Sequence, residues 1–199
     1  MPNIAFNKLT ANKKKQILEA GYLVFGEYGY QNTSINQITK VLNMTRTSFY
    51  YYFSDKDDFY HLLVEDQKQA FLSKYIYNKE QKVDLFDIFL KLFDYLTECK
   101  KTPIEPFLLD LFYNISFDKQ NELLKQLEQT NRDYSHFTGF NHYAMQTESE
   151  CHEVVMLLFI LVYHEIMTYY RNSISAEDAK CELEKKMNLL KYGIIKKEN

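Results

Sequence analysis

The run Thr45-Arg46-Thr47-Ser48-Phe49-Tyr50-Tyr51-Tyr52-Phe53 sets one cation, three hydroxyl residues and three consecutive tyrosines around two phenylalanines spaced four apart. In a helix Phe49 and Phe53 share a face and anchor it into a small core with Ile38 and Val41. Successive side chains are rotated by about 100°, so three tyrosines in a row cannot all follow the phenylalanines inward. Arg46, Thr47, Tyr50 and Tyr51 therefore point partly or wholly elsewhere, and at least one tyrosine is exposed. Exposed Tyr beside Arg, Thr and Ser suits phosphate contacts and packing on thymine methyls, while Arg46 can pair bidentately with guanine for about 1–3 kcal/mol of discrimination. The competing reading is a helical hairpin with surplus aromatics.

The elements that must position this helix are legible around it. Ile17, Ala20, Gly21, Val24, Phe25 and Tyr28 form the i, i+3, i+4, i+7 stripe of an amphipathic helix between Asn12 and Tyr28, and Gly29 is placed to end it. A short second helix starts at Thr33 or Ser34 as N-cap, with Ile35, Ile38, Val41 and Leu42 inward. Asn43 serves as the turn residue, because Asn tolerates the left-handed conformation. Thr45 caps the third helix, and Ser54-Asp55-Lys56-Asp57 reads as a capping box, with Asp in the place of Glu or Gln, that opens a fourth running to about Tyr77. Two short helices joined by a tight turn have the layout of a helix-turn-helix. Further helices are expected near 83–100, 105–115, 119–135, 149–171 and 176–196, with 137–146 as the longest loop.

Composition agrees with an all-α chain. Five Gly and three Pro among 199 residues are about a third of average usage, which excludes collagen-like, Gly/Pro-rich disordered and turn-dense all-β chains. A 46 % hydrophobic and 16 % aromatic content excludes a disordered chain. The longest apolar run, Val154–Tyr163, falls short of the roughly 18–20 residues that cross a bilayer, so it is expected to be a buried helix. The stretch MPNIAFNKLTANKKK does not read as a secretory signal, and a cytoplasmic location is expected. Charge is divided unevenly: residues 1–56 hold seven bases and three acids, the remainder seventeen and twenty-four. A basic end on an acidic body points that end at a polyanion.

Residues 13–65 resemble the DNA-binding domain of the TetR family of bacterial transcriptional regulators. Ile17, Ala20, Phe25, Gly29 and Tyr30 resemble its first helix and exit, Thr33 and Ile38 its second helix, Thr45–Phe53 its recognition helix, and Phe53-Ser54-Asp55-Lys56-Asp57-Asp58-Phe59 the opening of its fourth. The resemblance implies an N-terminal three-helix DNA-binding domain over residues 1–56 and a larger helical-bundle body over 57–199 for effector binding and dimerisation. It implies phosphate contacts from Thr33, Ser34, Tyr50 and Lys56, and contact with bases or adjacent backbone from the face of Thr45, Arg46, Thr47, Ser48, Tyr51 and Tyr52. Thr39, Asn43 and Thr47 depart from residues common in the family, Ala, Gly and Gly. Thr47 adds a hydroxyl and a methyl to the reading face, so the base preference cannot be borrowed.

The helix near 149–171 is apolar almost all round in its middle, more than one small layer of neighbours can bury. The next helix carries a stripe of Ala176, Ala179, Leu183, Met187, Leu190 and Ile194. As a hairpin the two could supply half of an intermolecular four-helix bundle or only cap the monomer core. The resemblance implies the homodimer, which also matches an inverted-repeat operator in duplex DNA. It further implies a small-molecule effector between the body helices, with Phe89, Phe93, Phe107, Phe112, Tyr113, Tyr134, Phe137, His164 and Met167 as candidates to face it. Plain core packing is the alternative for each.

Other chemistries find less support. Five histidines (His61, His136, His142, His152, His164) show no i, i+4 pair, and Cys99, Cys151 and Cys181 lack metal-site spacing, so no metal or cofactor is expected. No nucleophile elbow, phosphate-binding Gly loop or dinucleotide fingerprint is present, and no enzyme is expected. Two rivals stay open: a redox- or metal-responsive regulator with the same DNA module, and a helical ligand-binding protein with a merely structural N-terminal module.

Overall fold

The computed structural model describes residues 4–75, 83–113, 137–138, 148–172 and 174–193. The expected helix at 119–135, most of the 137–146 loop and Ile194 lie outside them. The described helices are α1 (Ile4–Asn7), α2 (Ala11–Asn32), α3 (Ile35–Val41), α4 (Arg46–Tyr52), α5 (Lys56–Tyr75), α6 (Leu85–Glu98), α7 (Glu105–Tyr113), α8 (Glu148–Arg171) and α9 (Ala176–Tyr192). Among the described residues one two-residue parallel strand pairing accompanies them, Val83 with Phe137 and Asp84 with Thr138. The chain is all-α, as composition requires.

Packing divides it into two compact units, residues 1–70 with 99–132 and residues 71–98 with 133–199. The first boundary falls inside α5. This is a division by contact and differs in kind from the functional division expected at 56/57.

The first unit is built on aromatics. Phe25, Phe49, Phe53 and Phe59 are fully buried, with Phe53 and Phe59 4.8 Å apart and Phe49 and Phe53 5.3 Å apart. Ile17, Val24, Ile38 and Leu63 fill the spaces between them. Helix α1, unforeseen in the sequence, adds Phe6 to this core at 5.4 Å from the Phe53 ring. Two expected inward residues are displaced: Val41 and Tyr28 are exposed, while Thr39 and Tyr22 are buried. Tyr22 is tolerated inside because its hydroxyl donates to Asp66 Oδ2 at 2.6 Å, accepts from Gln67 Nε2 at 2.8 Å and its ring lies edge-on to Phe107. Close approach explains Gly26: a Cβ there would stand 2.8 Å from Pro106 Cβ, so α2 and α7 touch almost backbone to backbone.

The second unit has α6 at its centre. Phe71, Leu72 and Ile88 form one cluster, flanked by Tyr75, Leu92 and Tyr95. Leu85, Phe89, Phe93 and Leu96 are buried on α6, Val155, Leu158, Val162 and Ile166 on α8, and Ala179, Leu183 and Met187 on α9. Phe89 meets Phe159 edge-on at 4.8 Å. Polar ties complete the packing: Lys180 to Asp94 at 2.7 Å, Tyr170 Oη to the Leu96 carbonyl at 3.1 Å, and Lys186 to the buried Glu165.

Two expectations about α8 and α9 need correction. Among the described residues one stripe of α8 is buried, so it is not the wholly buried helix expected. Leu157 and Ile160, on the other face, are 46 % and 56 % exposed, which agrees with the expectation that one small layer of neighbours cannot bury it. Leu189 and Leu190 of α9 are likewise exposed: Leu189 lies off the inward stripe of Ala179, Leu183 and Met187, while Leu190 lies on that stripe but near the end of the helix, where it is 37 % exposed. By length and composition Glu153–Arg171 is apolar enough to cross a membrane, with a mean hydropathy of 1.4. The same composition belongs to packed core helices, and the buried Glu165 countered by Lys186 within that window is an arrangement of packed helices.

Candidate nucleic-acid interface

Each end of the expected reading helix is fixed by a local device. Asn43 takes φ +48°, as its short polar side chain allows, and turns the chain between α3 and α4. Thr45 then accepts the Ser48 amide at 3.1 Å as the α4 N-cap, and Ser34 forms a full capping box with Gln37 at the start of α3. The α5 start differs from expectation by one residue. Asp55, not Ser54, accepts the Asp58 amide at 2.7 Å, and Asp58 reaches back to the Ser54 amide at 3.0 Å. With Ser54 exposed outside the helix, the pair of acids does the capping and Asp57 is left for another partner, Tyr30.

Between these caps α4 turns Phe49 wholly inward and presents Arg46, Thr47, Tyr50 and Tyr51 to solvent. Tyr51 is 63 % exposed, more than Tyr50, while Tyr52 and Ser48 are half-buried. The result is a convex face carrying one cation, hydroxyls and flat amphipathic rings, chemistry that can bond phosphate oxygens and base edges alike. Arg46 does not hang free: its guanidinium donates to Asn36 Oδ1 of α3 at 3.2 Å. Nothing in the sequence points to Asn36, ten positions away; only the crossing of α3 and α4 brings it there. Lys40, at the end of α3, is a further exposed cation.

The expected phosphate contacts are not all gathered on that face. Ser34 is exposed, but Thr33 is buried, its amide and hydroxyl both donated to the Gly29 carbonyl at 3.0 and 2.7 Å. Lys56 is half-buried, donates to the Tyr30 carbonyl at 2.8 Å and lies 4.4 Å from the Tyr30 ring centre. Behind this stands Tyr60, fully buried, whose hydroxyl finds no partner among the described residues. Burial pushes its phenol far above the ordinary range, and the neighbouring Asp110 charge adds to the shift.

The candidate effector residues fall in both units. Phe107 is fully buried in the first, between Tyr22 and Tyr60, and Phe112 is half-buried there. Phe89, Phe93 and Met167 are buried in the second, while His164 is exposed at its surface, 2.9 Å from Glu165. Tyr134 and the side chains of Tyr113 and Phe137 lie outside the described residues, as do His136, His142 and the side chains of Cys151 and His152. A groove of about 410 Å³ in the first unit is lined by Gly26–Gly29, Gln31, Asn32, Pro106, Leu109 and Asp110, none of them an expected effector contact.

Comparison with known proteins matches the chain along most of its length. The family model for bacterial regulatory proteins, tetR family, matches residues 17–63, and that for the tetracyclin repressor-like C-terminal domain matches residues 84–194. A negative transcriptional regulator of the biofilm operon icaADBC, IcaR of Staphylococcus epidermidis, is 25 % identical over 83 residues, 42 % of this chain and 45 % of IcaR. The transcriptional repressor Rv1474c of Mycobacterium tuberculosis is 28 % identical over 69 residues, 35 % of this chain and 36 % of that protein. The match therefore spans less than half the length of either relative. Among solved structures, Salmonella enterica GusR superposes with a TM-score of 0.65 at 20 % identity, covering 94 % of this chain and 100 % of GusR. Bacillus subtilis FadR, solved with stearoyl-CoA, gives 0.60 at 17 % identity, covering 92 % and 100 %. At such identities the likeness is one of fold.

Proposed function

Because the chain belongs to the TetR family of bacterial regulatory proteins, we propose that it is a sequence-specific DNA-binding transcriptional regulator, a cytoplasmic homodimeric repressor released from its operator by a small-molecule effector. The observation that carries this reading is the α4 face: Arg46, Thr47, Tyr50 and Tyr51 exposed together on a helix that buried Phe49 and Phe53 hold in place. Thr45, Ser48 and Tyr52 belong to the same helix or its cap and add hydroxyl donors to phosphates, while Ser34, exposed at the start of α3, and Lys56, half-buried against Tyr30, would add a hydroxyl and a cation from outside that face. Thr33 acts from inside, by closing the turn at Gly29. The exposed apolar side chains of α8 and α9 support a dimer, and a second copy is the partner whose matching surface would bury them. Two recognition helices then meet successive major grooves about 34 Å apart, which calls for an inverted repeat.

Release follows from linkage. An effector that prefers a body conformation with misaligned recognition helices weakens DNA binding, and DNA weakens effector binding by the same factor. A tenfold release needs about 1.4 kcal/mol of differential affinity. Buried Phe89, Phe93 and Met167 make the second unit apolar enough to hold such a ligand.

The test is selection from a random duplex pool by purified protein at near-physiological salt, with Arg46→Ala in parallel. An inverted repeat is expected for the wild type, and the variant should lose about 1–3 kcal/mol per half-site. No enrichment by the wild type, or an unchanged variant, would overturn the reading.

A further inference from the structure

Tyr30 is the last meeting point of the chain before the helix-turn-helix. Helix α2 breaks at Gly29, where φ is +73° and ψ 159°, and the Tyr30 amide turns to a side chain of α7: it donates to Asp110 Oδ2 at 2.7 Å. The Tyr30 carbonyl accepts from Lys56 at 2.8 Å, and its hydroxyl donates to Asp57. One residue is thus tied by amide, carbonyl and hydroxyl to α7 and α5, three residues ahead of Thr33.

Asp110 is 2 % exposed, and a carboxylate so deeply placed is tolerated only where donors meet it. A hydrogen bond from a main-chain amide to an ionised oxygen is among the stronger kinds in proteins. Gly29 is fitted to the same contact twice over. Its positive φ strains any L side chain, and a Cβ there would stand 2.8 Å from Asp110 Oδ1. Asp110 also lies in the stretch 84–194, outside the N-terminal match to residues 17–63.

We infer that Asp110 is a positioning residue for DNA recognition: by holding the Tyr30 amide across the Gly29 break, it fixes the direction in which the chain enters α3 and hence the seat of α4. The inference rests on the DNA-binding reading above. It predicts that discrimination between duplexes depends on a residue that touches no DNA. Loss of the contact lets the segment 30–34 rotate; α4 keeps its charge and its phosphate attraction but loses its fixed approach to the bases.

The experiment compares wild type, Asp110→Asn and Asp110→Ala in the full chain. Three quantities are read: the affinity ratio between the selected inverted repeat and a scrambled duplex, hydrogen exchange of the Tyr30 amide, and helix content. Asp110→Ala is expected to lower the ratio about tenfold or more, the scale of losing a charged hydrogen bond, with affinity for the scrambled duplex within about twofold of wild type. Its Tyr30 amide exchanges faster. Asp110→Asn, which keeps an acceptor oxygen, should recover much of the ratio and remains informative should the alanine variant not fold. An unchanged ratio in a folded Asp110→Ala protein with faster Tyr30 exchange would overturn the positioning role, and unchanged exchange would overturn the contact itself. A wild type that prefers no duplex would instead sink the DNA reading, and the positioning role with it, an outcome visible before any variant is made.

Discussion

The outward faces of α4 and α8 both rest on a buried apolar stripe, yet they are made of opposite chemistry. On α4, Phe49 goes in and Arg46, Thr47, Tyr50 and Tyr51 come out; on α8, Val155, Leu158, Val162 and Ile166 go in, and Leu157 and Ile160 come out. The first face offers donors and flat rings that water already satisfies, and such a face waits for a polar, charged partner. Exposed branched aliphatics gain nothing from water, and burying each is worth about 1.5–3 kcal/mol. On the proposed reading the difference suits the two faces to different partners, nucleic acid for α4 and a second copy for α8.

The comparison can be broken most severely at its foundation. Phe49→Ala empties a fully buried site and should cost about 3–5 kcal/mol, seen as a lowered thermal midpoint by circular dichroism; stability close to wild type would mean that the exposed face of α4 needs no such anchor. Next, Leu157→Asp with Ile160→Asp should keep the helix content, halve the mass in sedimentation equilibrium and abolish preference for an inverted repeat. A wild type already monomeric at micromolar concentration would remove the contrast, because α8 would then tolerate water as α4 does.

The smallest effect lies at Glu98, away from both faces. Lys74 holds its carboxyl below the ordinary glutamate range by hydrogen bonding, an effect that burial partly opposes. A lowered pKa in the folded state contributes stability above the ordinary glutamate value, lost as pH falls through the folded one. Glu98→Gln should therefore be slightly less stable than wild type near pH 7 and indistinguishable from it in acid, by urea titration at both pH values. Since the pair is about half exposed, a large loss would show that it is shielded in the assembly.

Local signals in the sequence carried the helices and much of the interface. Ser34, Asn43 and Thr45 act within three residues of their targets, so their roles follow from type and spacing, and Phe49 and Phe53 follow from helical period alone. What stayed hidden depends on crossings. Asn36 meets Arg46, Asp110 meets Tyr30 and Phe6 meets Phe53 because helices distant in sequence pass close by, and no local pattern encodes those meetings. Val41 and Leu190 mark the opposite limit: Val41 is turned to the side of the buried face of α3, and Leu190 keeps to the inward stripe of α9 yet is exposed near the helix end, because a periodic pattern does not say where the neighbouring helix stops. The α5 start lies one position beyond the one that spacing predicts, because Ser54 and Asp55 are both good caps and only the reach of Asp58 decides between them.

The hydrogen bond between Arg46 and Asn36 bears on the thermodynamics of recognition. A free arginine loses about 2 kcal/mol of rotamer freedom when it is immobilised, and Arg46 has given up part of that before any duplex arrives. If Arg46 reads a guanine as proposed, binding exchanges one amide acceptor for a base edge, at a smaller entropic penalty and with a smaller net enthalpy than an unrestrained side chain would show. Calorimetrically, then, this contact should register more weakly in enthalpy than its role in discrimination would lead one to expect.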